Sequence, residues 1–312
     1  MSQPAIQVHD LCKQYGPVMA VDHVNFEIAP GELVGFLGQN GAGKTTTMRV
    51  LTTFMPASSG LAKVAGYDVM YESMKVRQNL GYLPESVPLY PEMRVEEYLQ
   101  FRAKLKQIDR SIRTKRIEYC LERCRIKEVR RRLVNTLSKG YRQRVGLADA
   151  LLSDPKVMIL DEPLTGLDPV QQEETLNAIR DLGGAHTVLF SSHHLPDVEK
   201  VCERVIIIDR GRIRYDDRMA NIRATAPILV LEIRGAEEKI QHLLKAQPGV
   251  TAVQHVATDD GFCRFEVRTT DGRDLREAIS KKLMEQGLGV RGLELRRERL
   301  EDTFMRVVFQ RG

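Results

Sequence analysis

A glycine-rich segment directly after an apolar strand pattern constrains this chain more than any other feature. The segment matches the pattern G-x-x-x-x-G-K-S/T, in which glycines let the backbone curl around phosphate oxygens and a helix start supplies amide donors. Lys44 is expected to reach the terminal phosphates, and the Thr45 hydroxyl to bind Mg²⁺. The segment predicts a nucleotide-binding loop, and a glycine-rich turn with a chance lysine is the plainer alternative. After the apolar run Leu33–Leu37, its residues are Gly38, Gln39, Asn40, Gly41, Ala42, Gly43, Lys44, Thr45 and Thr46.

A second segment places two acids at the end of another apolar strand pattern. Val157–Leu160 are four apolar residues, and Asp161 and Glu162 follow them. Ligands of a parallel sheet lie at the carboxyl ends of its strands. We therefore expect Asp161 to hold Mg²⁺ and Glu162 to act as the general base that polarises the attacking water. An acidic turn without a catalytic role is the alternative.

The order of strand and helix patterns predicts the fold class. Residues 5–37 alternate as hairpin strands, residues 95–132 form a helical pattern with a basic face, and residues 156–215 alternate short β-branched runs with helical patterns. Strands that alternate with helices indicate an α/β protein with a parallel sheet. A boundary is expected near residues 219–227. Beyond it, strands at about 228–233, 250–257, 262–269 and 290–296 and helices at about 237–246 and 273–286 give the order βαββαβ of a ferredoxin-like α+β unit.

Composition decides which classes of protein remain. Of the 312 residues, 42% are apolar and 29% charged, which is typical of a folded, soluble chain. The longest apolar runs have four residues, whereas a bilayer span needs about 20, and the first residues do not suggest a signal peptide. We therefore expect a cytosolic chain whose five scattered cysteines are reduced packing thiols. The net charge of +5 is uneven, since residues 110–144 hold thirteen Lys and Arg but only three Glu.

A third segment connects these features into a family pattern. In the run Leu137, Ser138, Lys139, Gly140 and Tyr141, Ser138 is suited to cap a helix that continues to about residue 152. Asp161 lies 23 residues after Ser138. The runs 166–169 (Gly-Leu-Asp-Pro) and 191–193 (Ser-Ser-His) follow in turn. In motif order and spacing, residues 5 to about 218 resemble the ATP-binding subunits of ABC transporters.

The resemblance implies a P-loop NTPase fold of the ABC type over residues 1–220, with a RecA-like core, an antiparallel β subdomain and a helical subdomain at about 87–152. Residues 226–312 would be an accessory ferredoxin-like domain. ATP and Mg²⁺ are the implied cofactors.

Roles for single residues follow from the same resemblance. Tyr15 would stack on adenine, His193 would contact the γ-phosphate, and Asp168 would contact the opposite subunit. Ser138 and Gly140 would bind phosphate. A core tyrosine, a pair of surface histidines and a simple turn residue are the alternatives for Tyr15, His193 and Asp168.

Two positions depart from the commonest family form. Glu85 replaces the usual glutamine after a strand; it can still ligate Mg²⁺, but it adds charge and cannot donate a hydrogen bond. Lys139 and Tyr141 change the common signature Leu-Ser-Gly-Gly-Gln to Leu-Ser-Lys-Gly-Tyr. These variants resemble the multidrug- and gliding-motility-type branch of the family.

Two anion-binding helix starts in one chain suggest how it works. The economical arrangement is a two-fold dimer in which each ATP lies between the phosphate loop of one chain and the signature of the other. The resemblance implies the same head-to-tail dimer, or a paired ATP-binding subunit, attached to a separate membrane permease on the cytoplasmic side of the membrane, with export the commoner direction.

Two other functions remain open at this stage. The basic stretch 110–144 suggests a soluble ATPase that acts on nucleic acid or the ribosome. Against it, the chain has a single cassette, and only 94 residues separate Lys44 from Ser138, which leaves no room for a long coiled coil. We therefore expect no nucleic-acid partner. A regulatory module without turnover is expected to lack an acid at position 162, where Glu162 is present.

Overall fold

The chain divides into two compact units, which are described separately. One comprises Met1–Met219 and Val307–Gly312, and the other is Ala220–Arg306. Within the described residues, no helix is long and apolar enough to cross a bilayer. The computed structural model of the protein describes residues 3–224, 227–270, 273–297 and 299–309.

The first unit combines two β-sheets with a set of helices. Its strands are β1 (Ile6–Tyr15), β2 (Val18–Ile28), β3 (Leu33–Leu37), β4 (Ser59–Val64), β5 (Tyr67–Asp68), β6 (Leu80–Leu83), β7 (Val157–Leu160), β8 (Thr187–Ser192), β9 (Arg204–Asp209) and β10 (Arg212–Arg218). Its helices are α1 (Lys44–Leu51), α2 (Ser73–Asn79), α3 (Val95–Leu105), α4 (Arg110–Arg123), α5 (Lys139–Leu151), α6 (Pro169–Arg180) and α7 (Leu195–Val201).

The larger sheet has the order β10-β9-β3-β8-β7-β6. All its pairings are parallel except that of β9 with β10. Strands β3, β7 and β8 are buried along their whole length, as expected for parallel strands covered on both faces. Leu37 pairs with Ser192, and Leu160 with Phe190, so the carboxyl ends of these strands meet at one edge. The predicted parallel α/β core is confirmed.

The smaller sheet of this unit is antiparallel, in the order β2-β1-β4-β5. Strands β1 and β2 form the predicted hairpin, with irregular register between Val8 and Leu11 and again before Lys13. Asp10 and His23 both have φ of 51°, in the left-handed region that side chains other than glycine seldom adopt. These irregularities turn side chains away from a regular ladder.

The predicted helical region consists of separate helices. The stretch 95–132 does not continue as one helix, because α3 ends after Leu105 and α4 begins only at Arg110. Gln107 between them has φ of 56°, which is incompatible with a continuing right-handed helix. Helix α5 begins at the predicted place, and Ser138 caps it by accepting a hydrogen bond from the Tyr141 backbone N–H.

The second unit has the predicted order βαββαβ. Its sheet runs β12-β13-β11-β14 with antiparallel pairing throughout, and apolar residues such as Leu231, Phe265 and Leu283 form its core. This confirms the ferredoxin-like arrangement. Helix α10 begins three residues later than predicted, because the Asp274 carboxylate accepts from the Arg276 backbone N–H at the turn before it. Along the chain from Met219 to Phe309 the elements are α8 (Met219–Ala224), β11 (Ile228–Arg234), α9 (Glu237–Lys245), β12 (Val250–Asp259), β13 (Phe262–Thr269), α10 (Arg276–Glu285), β14 (Gly289–Arg296) and α11 (Leu300–Phe309).

Candidate active site

The glycine-rich segment forms the loop between the buried strand β3 and helix α1. Gly43, at the start of α1, has φ of 108°, and a Cβ there would lie 2.5 Å from the carbonyl oxygen of Ala20. A Cβ on Gly38 would lie 2.4 Å from the carbonyl oxygen of Ile208. Both positions therefore require glycine for the loop to pack as it does. The amides at the start of α1 face the edge where the parallel strands end, which is a favourable place for an anion.

The Lys44 side chain lies folded against this loop. Its Nζ donates to the carbonyl oxygens of Gly38 at 2.8 Å and Gln39 at 3.2 Å. The same atom lies 3.3 Å from Glu162 Oε1, and only 5% of the residue is exposed. A buried ammonium group needs such partners, because leaving it without them is costly. Lys44 is thus a cation held by the chain's own oxygens at the floor of the site.

Asp161 lies buried at the end of β7 next to the loop. Thr45 Oγ1 donates to Asp161 Oδ1 at 3.2 Å, and Ser191 Oγ donates to the same oxygen at 2.8 Å. Burial raises the pKa of the Asp161 carboxyl, and these two hydrogen bonds oppose part of the rise. A hydroxyl and a carboxylate oxygen so close together are ligands that suit Mg²⁺.

Glu162 is the residue on which the polar contacts of the site converge. Its Oε2 lies 2.9 Å from His193 Nδ1 and accepts from Thr165 Oγ1 at 3.1 Å. Its backbone N–H donates to Ser191 Oγ at 2.8 Å. The backbone φ of Glu162 is 47°, which is unusual for a glutamate, and its Oε1 lies 3.3 Å from Lys44 Nζ. The structure therefore holds one carboxylate between a cation and a histidine.

These groups line a cleft with a volume of about 230 Å³. Glu85 reaches it from the segment after β6, and His193 from the end of β8. Asp161 is not among the described lining residues, but it accepts a hydrogen bond from Thr45, which lines the cleft. Of the residues predicted from sequence, those lining the cleft are Gln39, Asn40, Gly41, Gly43, Lys44, Thr45, Thr46, Glu85, Glu162 and His193; Gly38 and Ala42 belong to the same loop.

Four predicted residues lie elsewhere in the described chain. Tyr15, at the end of β1, is 43% exposed and donates through its hydroxyl to Met55 Sδ, so it is not a core residue. Asp168 caps α6 by accepting from the Gln171 backbone N–H. Ser138 and Gly140 lie at the start of α5. None of these four is among the described residues that line the cleft.

Lys139 and Tyr141, the two residues that depart from the common signature, contact other residues of the same chain. Tyr141 donates through its hydroxyl to Glu128 Oε1 at 2.8 Å, and its ring lies 4.4 Å from the Arg144 guanidinium. Lys139 Nζ lies beside Gly166, where a Cβ would be 2.4 Å away. Lys139 therefore reaches the loop before α6, while Tyr141 packs within the helical region.

Three functional contacts escaped the sequence reasoning. Ser191 bonds both acids of the site, Thr165 holds Glu162, and Gln171 Oε1 accepts from the Gly140 backbone N–H at 3.1 Å. Ser191 could have been found, because it comes two residues before His193 at the end of a buried strand. Thr165 and Gln171 give no comparable signal, since they occur in a turn and in the first turn of α6.

A comparison with protein families and known proteins agrees with this geometry. A family model described as ABC transporter matches residues 21–165. An uncharacterized ABC transporter ATP-binding protein, YxlF of Bacillus subtilis, is 34% identical over 304 residues, 97% of this chain and 99% of that protein. A daunorubicin resistance ATP-binding protein, DrrA3 of Streptomyces coeruleorubidus, is 31% identical over 98% of this chain and 96% of its own length.

A solved structure is similar in the same way. It is cbiO1 from Clostridium perfringens, described as part of the ABC transporter complex cbiONQ. It aligns with a TM-score of 0.66 at 25% identity, over 79% of this chain and 97% of that one.

Proposed function

The chain belongs to the family of ABC transporter ATP-binding proteins, a family of ATPases, and from this premise we propose that it powers export through a separate membrane permease. In this proposal two copies bind ATP between them, on the cytoplasmic side of the membrane. Binding of ATP follows from membership of this family.

The separation of the two phosphate-binding helix starts supports the proposed dimer. The cleft contains the loop at α1, whereas Ser138 and Gly140 at α5 do not line it among the described residues. A nucleotide in the cleft would therefore meet the signature of another copy rather than that of its own chain. A two-fold pairing gives both copies a complete site, because each supplies what the other needs.

The cleft residues support a hydrolytic mechanism. Thr45, Asp161 and Glu85 would hold Mg²⁺, which when bound neutralises phosphate charge. Lys44 Nζ would turn from Glu162 Oε1, now 3.3 Å away, to the phosphates. Glu162 Oε1 would then be available to accept a proton from the attacking water, while His193 Nδ1 fixes Oε2. The contact between Lys44 and Glu162 would thus connect nucleotide binding with catalysis, because Glu162 Oε1 becomes free to act as a base when Lys44 turns to the phosphates.

A groove in the first unit supports docking of a permease. It has a volume of about 520 Å³, and the apolar side chains of Met74, Leu105 and Ile112 along it are half exposed or more. Arg77, which donates to the hydroxyl and the carbonyl of Thr53, also lines it. An amphipathic cytoplasmic helix could cover such apolar side chains and place an acidic residue beside this arginine. Export is supported by the relative named for daunorubicin resistance, since resistance to a drug can come from moving it out of the cell.

Replacing Glu162 by glutamine tests the proposal. The amide cannot act as a base, so ATP hydrolysis should fall at least about 10²-fold while ATP binding persists. The variant should elute from gel filtration as a dimer when ATP and Mg²⁺ are present and as a monomer without them. Glu173→Gln, which removes an exposed acid paired with Lys200, is the matched control and should keep wild-type turnover. Unchanged hydrolysis and a monomer in Glu162→Gln would contradict both the role of Glu162 and the dimer.

A further inference from the structure

A cluster of metal-binding side chains lies on the β1–β2 hairpin, outside the lining of the nucleotide cleft. It consists of Cys12 on β1 and Asp22 and His23 on β2, whose ligand atoms all lie within 4.8 Å of one another. We propose that these three residues form a Zn²⁺ site with one position open to water. Thiolate, imidazole and carboxylate are the ligands that zinc prefers, and three protein ligands with one water is a common zinc arrangement.

The irregular pairing of the hairpin explains why these residues meet. Leu11 pairs with Val24 and Lys13 with Val21, so Cys12 alone stands opposite both Asp22 and His23. Such a bulge turns side chains away from the regular alternation between the two faces of a sheet. The His23 backbone N–H donates to Cys12 Sγ at 3.3 Å, which places the sulfur next to the histidine.

The His23 ring is already oriented as in known metal sites. Its Nδ1 lies 2.6 Å from Asp10 Oδ1, and its Nε2 lies 3.8 Å from Asp22 Oδ1. Metal-bound histidines commonly give their second ring nitrogen to a carboxylate, which fixes the ring and strengthens the ligand. Asp10 thus acts as a positioning residue, and Nε2 is the nitrogen directed at the cluster.

Asp22 divides its two oxygens between different partners. Oδ2 lies 2.6 Å from Arg212 Nε, while Oδ1 faces His23 Nε2. Around a tetrahedral zinc ion the donor atoms are roughly 3.3 to 3.7 Å apart. Since the present separations all lie within 4.8 Å, small side-chain rotations would bring the three donors together.

Cys12 differs from other cysteines of the chain in its surroundings. Cys12, Cys120, Cys124 and Cys202 are all buried, but of these four only Cys12 has two potential co-ligands within 4.8 Å among the described residues. Zinc bound there would clamp β1 to β2 at the place where their hydrogen bonding is interrupted.

Metal titration of the full-length chain, freed of metal beforehand, tests the site. Zn²⁺ should bind with one-to-one stoichiometry in calorimetry. Co²⁺, used as a spectroscopic probe, should give thiolate charge-transfer absorption and the visible bands of tetrahedral coordination. Cys12→Ser should remove the charge-transfer absorption, and His23→Gly and Asp22→Asn should each weaken Zn²⁺ binding at least tenfold. Glycine suits position 23 because its φ is positive.

Control variants separate ligands from neighbours. Asp10→Asn should weaken binding by about 10- to 100-fold, as loss of an orienting partner does. Arg212→Gln frees Asp22 and should not weaken binding. His9→Ala, an exposed histidine of the same hairpin, and Cys263→Ser should bind as the wild type does. Circular dichroism identifies any variant that fails to fold. The ligand variants that do fold then decide whether these residues bind Zn²⁺. Absence of Zn²⁺ binding, or equal affinity in the wild type and the ligand variants, would overturn the proposal.

Discussion

Lys44 is a single buried ammonium at the floor of a cleft, whereas the stretch 110–144 gathers thirteen Lys and Arg on helices α4 and α5 and the turns between them. Judged by charge alone, the second region is the stronger candidate for binding a large anion. Several of its side chains, however, are engaged within the chain. Arg130 pairs with Glu96 and Glu118, and Lys127 with Glu118 and Glu122.

Other side chains of the basic stretch bind backbone carbonyl groups. Arg116 donates to the carbonyl oxygens of Leu151 and Leu152 and pairs with Asp154. Arg144 is 2% exposed, donates to the carbonyl oxygen of Arg125 and lies 2.8 Å from Glu174. These arginines close helix ends and join helices. At the loop, by contrast, Lys44 and the start of α1 line a cleft, although Lys44 also contacts two backbone carbonyls and Glu162. Arrangement rather than number of charges indicates which region binds an anion.

The strongest test of this contrast removes the cation of the loop. Lys44→Ala should weaken ATP binding about 10²-fold or more, because charged hydrogen bonds to the phosphates are lost, each contributing about 1.5 to 3 kcal/mol. Titration with a fluorescent ATP analogue measures the affinity. Lys75→Ala removes a lysine that is 59% exposed and pairs with Glu72, and it should bind ATP as the wild type does. Equal losses in the two variants would mean that overall charge, and not the loop, binds the nucleotide.

A second test concerns the structural use of the basic stretch. Arg144→Ala should lower the free energy of unfolding by about 2 kcal/mol, because the Arg125 carbonyl loses its donor and Tyr141 loses its packing partner. The exposed Arg132→Ala should change it by no more than about 0.5 kcal/mol. Urea unfolding of both variants measures the difference. If both values were equally small, Arg144 would be a bystander and not a structural arginine.

The smallest effect is expected where the exposed charges of the stretch are reversed. Changing Arg110, Lys115 and Arg131 to glutamate should alter the ATPase rate less than about twofold. The wild type and this variant should both bind single-stranded DNA with a Kd no lower than about 1 µM at physiological salt, which is the tight limit of non-specific binding. Fluorescence anisotropy with a labelled oligonucleotide measures it. Tight binding by the wild type that the reversal abolishes would favour the soluble, nucleic-acid-dependent ATPase instead.

The parts of the fold that depend on local chemistry could be predicted from the sequence. Glycines at 38 and 43 before Lys44 define a loop whose backbone few other residues can form, and Ser138 caps a helix in the way its hydroxyl predicts. The order of strands and helices along the second unit also follows from local residue patterns. These features depend on residues close together along the chain.

What the sequence could not provide are contacts between distant segments. The Lys44 contact with Glu162 joins residues far apart in the chain, and it exists only because β3 and β7 end at the same edge. Likewise, the break between α3 and α4 at Gln107 depends on a positive φ, which a glutamine in the sequence does not predict. The meeting of Cys12 with His23 requires a bulge whose position no residue type fixes.

The hydrogen bond from the Gly140 amide to Gln171 Oε1 has a consequence for how reversible a closed dimer would be. A Cβ on Gly140 would lie 2.4 Å from this oxygen, so the glutamine already fills the place at the start of α5. A phosphate oxygen of a nucleotide bound to another copy would have to displace this oxygen, because the Gly140 N–H already has a hydrogen-bond acceptor. The net gain is then only the difference between a hydrogen bond to a charged phosphate, about 1.5 to 3 kcal/mol, and one to a neutral amide oxygen, about 0.5 to 1.5 kcal/mol. A small difference lets such an interface separate again after every turnover, which a machine that works in cycles requires.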